Sequence, residues 1–161
     1  MKTMQFIAVC ALLAGASATF AHGNISHTSA PIIKEQKAWG IAGDAKNAQR
    51  TITLNMTDDM RFAPSHFSVK KGETLNLRVV NKGQVMHEVV LGTQASLDEH
   101  AQMMLKYPGM EHAEPYMAHV APGQSENLVW SFNRAGNFDF ACLIAGHYQA
   151  GMVGTITVSA S

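Results

Sequence analysis

Seven short runs rich in β-branched and aromatic residues follow one another from Thr51 towards the C-terminus. Lys-Gly, Pro-Gly and Ala-Gly pairs separate several of them. Short runs of this composition between turn residues are typical of strands in a sandwich of two sheets. The sequence therefore predicts an all-β domain over 51–161, folded as an antiparallel β-sandwich. The runs are TITLNM, HFSV, ETLNLRVVN, HEVVLG, ENLVWSF, NFDFAC and VGTITVS.

One segment departs from the strand pattern. Between Leu97 and Tyr107 the apolar residues recur at helical spacing, and a Pro-Gly pair follows as a stop signal. We therefore predict one short helix inside a long inserted connection between strands. Trp130 and Phe138 lie within strand runs, and we assign both to the sandwich core.

The N-terminus has the pattern of an export signal. Lys2 supplies a positive charge, 6–16 is apolar, and small residues precede two cleavage points, after Ala18 or Ala21. We favour Ala21, which gives a signal peptide over 1–21 and predicts a periplasmic protein. No other long apolar span occurs, so we expect no transmembrane segment in the mature chain.

Residues 22–50 are polar and weakly periodic, with Trp39 as their one large aromatic residue. This composition predicts a flexible N-terminal arm that Trp39 attaches to the sandwich. The 12 basic residues equal the 12 acidic ones in number. A chain without a basic excess offers no electrostatic surface for nucleic acid, so we expect no nucleic-acid partner.

The stretch CLIAGHYQAGM, residues 142–152, places a thiol, an imidazole and a thioether at regular intervals. Cys10 leaves with the signal peptide, so Cys142 has no partner for an internal disulfide in an oxidising compartment. The stretch connects two strand runs, and Gly146 and Gly151 supply the backbone freedom for sharp bends. A metal is the ligand that would protect such a thiol.

A thiolate with imidazoles and a distant thioether suits copper that cycles between Cu(I) and Cu(II). His87 is the best-placed second imidazole, because it opens the run HEVVLG directly after a turn. The candidate set is thus His87, Cys142, His147 and Met152. Zinc is the rival metal, but it prefers Cys, His and carboxylate to a thioether.

These motifs resemble the cupredoxins. CLIAGHYQAGMVGTITV is similar to the C-terminal copper loops of rusticyanin and auracyanin, and MRFAPSHFSVKKGETLNLRVVNKGQVMHEVVL resembles the family's first ligand segment. The insertion HAQMMLKYPGMEHAEPYMAHVAPGQ is similar to periplasmic copper-tolerance cupredoxins of the CopI type. The resemblance implies a Greek-key β-sandwich with one type 1 copper, held by His87, Cys142 and His147 as equatorial ligands and Met152 as axial ligand.

Two positions depart from the usual cupredoxin pattern. Glu88 stands where many members have Asn or Ser, whose side chain helps to join the two ligand segments. A carboxylate there could accept backbone N–H bonds and would favour Cu(II), so we expect a lowered reduction potential. Ala145 stands where the similar loops have Pro, and the absence of Pro relaxes the loop.

The insertion and the mature N-terminus offer two further candidate copper sites. Thioethers with imidazoles can hold Cu(I), and the insertion is rich in both. We select Met110, His112, Met117 and His119 as a second site, ahead of the helical residues, although Met also fills core gaps. Cleavage after Ala21 would also place a free amine on His22, a candidate Cu(II) chelate with His27.

Three functions were weighed from these features. Glu88, Ala145 and the metal-rich insertion favour a copper-tolerance protein that binds and hands on copper, with one-electron transfer as an accompanying ability. A soluble electron carrier is the alternative. An enzyme needs a further copper cluster or an open substrate position, and no His-x-His pair indicates one. Either role predicts transient redox or copper-delivery partners, which would dock on the apolar residues around His147.

Overall fold

The computed structural model describes residues 34–110 and 112–160. Ten strands form two five-stranded sheets in the orders β1-β8-β5-β2-β3 and β4-β10-β9-β6-β7. The strands are β1 Ile41–Ala42, β2 Arg50–Thr57, β3 Arg61–Ala63, β4 His66–Lys70, β5 Thr74–Asn81, β6 His87–Gly92, β7 Met117–Val120, β8 Ser125–Ser131, β9 Gly136–Ala141 and β10 Val153–Ser159. All seven strand runs of the sequence are confirmed, and the three added strands are short.

Most neighbouring strands are antiparallel, but two pairs are parallel. β2 pairs with β5, and β4 pairs with β10, in parallel register. The prediction of a wholly antiparallel sandwich is therefore wrong at these two pairs. Turn residues between runs indicate where a strand ends, but they do not indicate which strand lies beside it, because that depends on crossovers between the sheets.

The inner faces of the two sheets enclose one hydrophobic core. Alternate residues of the strands point inward, as the alternation of buried and exposed positions in β4 and β10 shows. Trp130 and Phe138 are both buried, as predicted. Cys142 and Met152 are also fully buried in this core.

Helix α1, Gln94–Lys106, covers the outer face of the second sheet. It begins three residues before the predicted start, because Thr93 and Ser96 form a capping box. Leu97, Ala101 and Met104 face the sheet. They form a second core cluster with residues of β6, β7 and β9, so the insertion is attached to the sandwich by apolar packing.

Residues 34–50 differ from the predicted flexible arm. β1 pairs with β8 at the edge of the first sheet. Trp39 is buried against Tyr116, with ring centroids 5.4 Å apart, and its carbonyl accepts a 2.9 Å hydrogen bond from Trp130 Nε1. The sequence did not predict β1, because a strand of two residues is too short to show a periodic pattern. The signal peptide, its cleavage point and residues 22–33 lie outside the described residues.

Among the residues that the structure describes, no helix has both the length and the apolar character needed to cross a membrane.

Candidate metal centre

The sheet brings two distant parts of the sequence to one end of the sandwich. His87 is the first residue of β6, and Cys142 directly follows the last residue of β9. The two strands are antiparallel neighbours, with Val90 opposite Ala141. The start of one strand and the end of the other therefore lie at the same edge of the sheet, which places the two side chains together.

Residues 142–152, the copper loop, fold back between β9 and β10. The backbone N–H of Cys142 donates to Met152 O at 3.1 Å, and that of Met152 donates to His147 O at 3.1 Å. Gly146 and Gly151 have φ values of 94° and 88°, in the region that other residues rarely adopt. The two glycines thus allow the reversal predicted from the sequence.

The ligand atoms of His87, Cys142 and His147 lie within 4.8 Å of one another. Cys142 Sγ is 3.3 Å from His147 Nδ1, and the two imidazole rings have centroids 5.0 Å apart. His87 and Cys142 are fully buried, whereas His147 is partly exposed. Met152 is buried at the closing end of the same loop. The structure thus brings the thiol and both imidazoles together and places the thioether in the loop that carries Cys142 and His147.

Asp58 orients the imidazole of His87. His87 Nε2 donates to Asp58 Oδ1 at 3.0 Å, and Asp58 also accepts the Gln84 N–H at 2.7 Å. The Gln84 N–H bond, and then His87, lower the pKa of the Asp58 carboxyl. His87 Nδ1 is left buried with no hydrogen-bond partner among the described residues. A buried imidazole nitrogen with no partner, beside a thiol, is what a metal ligand requires. The other nitrogen of His87, Nε2, has the orienting carboxylate partner that such ligands typically have.

Sequence reasoning missed both Asp58 and Asn81. The Asn81 side chain donates to Val85 O and Val120 O, each at 2.8 Å, and accepts the Gly83 N–H. These bonds fix the turn that leads into His87. The sequence holds no local signal for Asp58, because its role depends on contacts between segments. Asn81 bonds mainly within its own turn, and the Asn-Lys-Gly turn was the signal that could have indicated it.

Burial raises the pKa of the Cys142 thiol to about 12, although the Glu88 N–H acts in the opposite direction. The thiol is therefore protonated until a metal displaces the proton. Burial and then the charge of His87 lower the pKa of His147. The neutral imidazole favoured by this shift has a lone pair for a metal.

Glu88 joins the two ligand segments, although it is a carboxylate where many cupredoxins have an amide or hydroxyl. Its side chain is fully buried, and Oε1 accepts the Leu143 N–H at 2.8 Å. Oε2 lies 2.8 Å from Nε2 of His119 in β7. Burial raises the pKa of Glu88, while His119 and the Leu143 N–H act to lower it.

A cavity of about 730 Å³ opens beside Glu88, between the copper loop and the segment after α1. His112 and His119 line this cavity, and His100 packs against His112; the three imidazoles are called here the histidine cluster. Ring centroids are 4.6 Å apart for His100 and His112, and 5.8 Å apart for His112 and His119. Burial and then the neighbouring histidines lower the pKa of His100.

The structure changes the membership of the second candidate site. Met110, His112 and His119 line the cavity as selected from the sequence. Met117 does not, because its side chain is buried under α1 with Leu97 and Met104. The residue is part of the core, which agrees with the alternative interpretation that methionines of the insertion fill core gaps. His22 and His27 lie outside the described residues.

The surface around His147 is partly apolar. Ala145 and Ala150 are exposed, and Ile144 and Tyr148 are partly exposed. Val85 and Met86, in the turn before His87, are the nearby exposed apolar residues. The Tyr148 hydroxyl donates to Asp98 Oδ1 at 2.6 Å, which connects the copper loop to α1.

Comparison with known proteins agrees with this geometry. Residues 48–159 match the family model described as copper binding proteins of the plastocyanin/azurin family. The "Copper-resistant cuproprotein CopI" of Rubrivivax gelatinosus is 46% identical over 151 residues, which cover 94% of this chain and 91% of that protein. The protein of the same name from Pseudomonas aeruginosa is 34% identical over 151 residues, covering 76% of this chain and 83% of the relative.

Among solved structures, reduced auracyanin from Roseiflexus castenholzii aligns with a TM-score of 0.60 at 21% identity, over 70% of this chain and 98% of auracyanin. The β-sandwich and its His-Cys-His cluster define a cupredoxin, and the resemblance to cupredoxins of the CopI type is confirmed. The chain belongs to the plastocyanin/azurin family of copper-binding proteins. Its cofactor is copper.

Proposed function

We propose that this chain is a periplasmic copper-tolerance protein. It binds one type 1 copper through His87, Cys142 and His147, with Met152 as the axial ligand, and cycles that copper between Cu(I) and Cu(II). The observation that carries the proposal is the unpartnered His87 Nδ1, buried beside the Cys142 thiol and the His147 ring. The copper-resistance names of its relatives support the tolerance role.

The chain's own residues explain how such a site works. The buried strand ends and Asp58 hold the ligands in one arrangement, so little rearrangement accompanies the gain or loss of an electron. The partly exposed His147 gives a partner access to the site, and the apolar surface around it suits transient docking. No substrate turnover is proposed, so the protein is not an enzyme.

The first test is a copper titration of the purified mature protein, followed by visible absorption and EPR. An intense thiolate-to-copper band that saturates at one equivalent supports the type 1 site. Cys142→Ala should abolish the band, because the thiolate is its source. Copper uptake without this band in the wild-type protein would contradict the proposal.

A soluble electron carrier is the second candidate, favoured by the exposed Val85 and Met86 beside the partly exposed His147. Growth of a deletion strain in rising copper separates the two roles. Reduced tolerance, restored by the wild-type gene and not by the Cys142→Ala gene, supports copper tolerance. Unchanged tolerance with a respiratory defect supports the carrier.

A further inference from the structure

The histidine cluster has the hydrogen-bond pattern of metal ligands. A ligating imidazole typically donates its second N–H to a carboxylate or carbonyl, which fixes the ring and its tautomer. His87 shows this pattern at the type 1 site, with Asp58 as the acceptor. In the histidine cluster, His112 repeats this pattern, and His119 places a ring nitrogen close to a carboxylate.

His119 Nε2 lies 2.8 Å from Oε2 of the buried Glu88 carboxylate, a close contact that leaves Nδ1 as the nitrogen for a ligand. His112 donates from Nδ1 to the carbonyl of Met110 at 3.2 Å. Its Nε2 is buried and has no hydrogen-bond partner among the described residues. An unpartnered buried nitrogen is unfavourable unless something binds it, so His112 Nε2 independently indicates a ligand.

The surroundings indicate which metal fits. His100 lies against His112, and thioethers of Met86, Met104 and Met110 line the same cavity. Imidazoles suit several transition metals, but thioethers select soft ions such as Cu(I). Glu88 is the nearby carboxylate: its Oε1 accepts the Leu143 N–H, and its Oε2 lies 2.8 Å from His119 Nε2. The set therefore favours copper over zinc.

We propose that His112, His119 and His100 form a second copper site, with a thioether of the cavity as a soft additional ligand. The three rings are unevenly spaced, since the ring centroid of His112 is 4.6 Å from that of His100 and 5.8 Å from that of His119. Copper binding draws the three rings together, and the open cavity gives the ion direct access from solution. The site deepens the copper-tolerance role, but its ligands are separate from the type 1 ligands.

Glu88 gives the second site a physical connection to the first. One oxygen orients His119, and the other accepts the N–H of the residue after Cys142. A positive ion on His119 therefore acts on the segment that carries the thiolate. Occupation of the second site should shift the type 1 absorption band slightly, and this shift should follow the second equivalent of copper.

The test counts Cu(I) bound by the mature protein in competition with a chromophoric Cu(I) chelator. His112→Gln/His119→Gln should bind one equivalent less than wild type, and the type 1 band of the Cu(II)-loaded protein should persist. The control is His66→Gln, an exposed residue of β4 whose ring contacts Thr155 of β10. β4 and β7 are at opposite edges of the second sheet. This control should retain full uptake. His22→Gln/His27→Gln distinguishes any N-terminal copper.

Equal uptake by wild type and His112→Gln/His119→Gln would overturn the second site and leave the type 1 proposal intact. If His112→Gln/His119→Gln loses one equivalent of copper but the wild-type protein shows no type 1 band, the second site is supported and the type 1 proposal is overturned. A milder variant, His100→Gln, guards against misfolding. Its Cu(I) affinity should fall at least tenfold with an unchanged circular dichroism spectrum, and an unchanged affinity would exclude His100 as a ligand.

Discussion

The copper loop and the histidine cluster contain similar donor groups, but the fold holds them differently. In the copper loop, two strand ends and a network of backbone hydrogen bonds hold the donors in a buried site. In the histidine cluster, His112 and His119 come from the segment after α1 and from β7 and line an open cavity, while His100 of α1 packs against His112. We therefore propose that the first arrangement imposes its geometry on copper, whereas the second adapts to the ion. On this proposal, burial and connectivity, more than donor type, separate the roles of the two sites.

The largest expected effect that separates the two regions comes from Cys142→Ala. The variant should lose the thiolate-to-copper band entirely, because Cys142 supplies the thiolate and the other cysteine, Cys10, lies in the predicted signal peptide. Copper bound at the histidine cluster should persist, since none of its ligands lies in the copper loop. Copper counting beside visible absorption checks both statements. Loss of all copper binding in this variant would contradict the independence of the two regions.

The rigidity of the first region depends on Asp58, which orients His87. Asp58→Ala should weaken copper binding at the type 1 site by about 10- to 100-fold, because removal of an orienting partner typically costs that much. Competition with a Cu(II) chelator, read at the type 1 band, measures the change. The matched control is Asp59→Ala, at the neighbouring exposed position. Equal affinities in the two variants would show that Asp58 does not preorganise the ligand.

Glu88 contacts both regions, so Glu88→Gln should affect both. Removal of the negative charge makes Cu(II) less favourable, and the reduction potential of the type 1 copper should rise. A rise of about 60 mV corresponds to a tenfold change in the one-electron equilibrium. Cu(I) affinity at the histidine cluster should fall about tenfold, because His119 loses its carboxylate partner.

Spectroelectrochemistry and Cu(I) competition measure these two changes in Glu88→Gln. Glu126→Gln, an exposed position on β8 of the other sheet, is the control and should change neither value. An unchanged or lowered reduction potential in Glu88→Gln would contradict an electrostatic effect of this carboxylate on the type 1 copper. An unchanged Cu(I) affinity would show that Glu88 does not contribute to copper binding at the histidine cluster.

The two regions also differ in how well the sequence predicts them. His87 and the copper loop could be predicted because strand runs, glycines and donor spacing are all local patterns. The histidine cluster could be predicted only in part, since its members come from three elements that the insertion folds together. His100 is not among the residues selected from the sequence, yet α1 places its ring against that of His112. Asp58 has no sequence signal, because its partners Gln84 and His87 lie far along the chain.

Met117 is the residue for which the sequence expectation and the fold disagree, and it provides the last and smallest test. Its thioether was selected as a ligand, but the side chain packs under α1 with Leu97 and Met104. Met117→Leu should leave the copper count unchanged and cost less than about 1.5 kcal/mol, as volume-conserving core changes do. Met117→Ala should cost about 2–5 kcal/mol through the cavity it creates. Denaturant unfolding and copper counting check this pair. A lost copper equivalent in Met117→Leu would show that this thioether belongs to the second site, and the histidine cluster would then require a rearranged helix to bind copper.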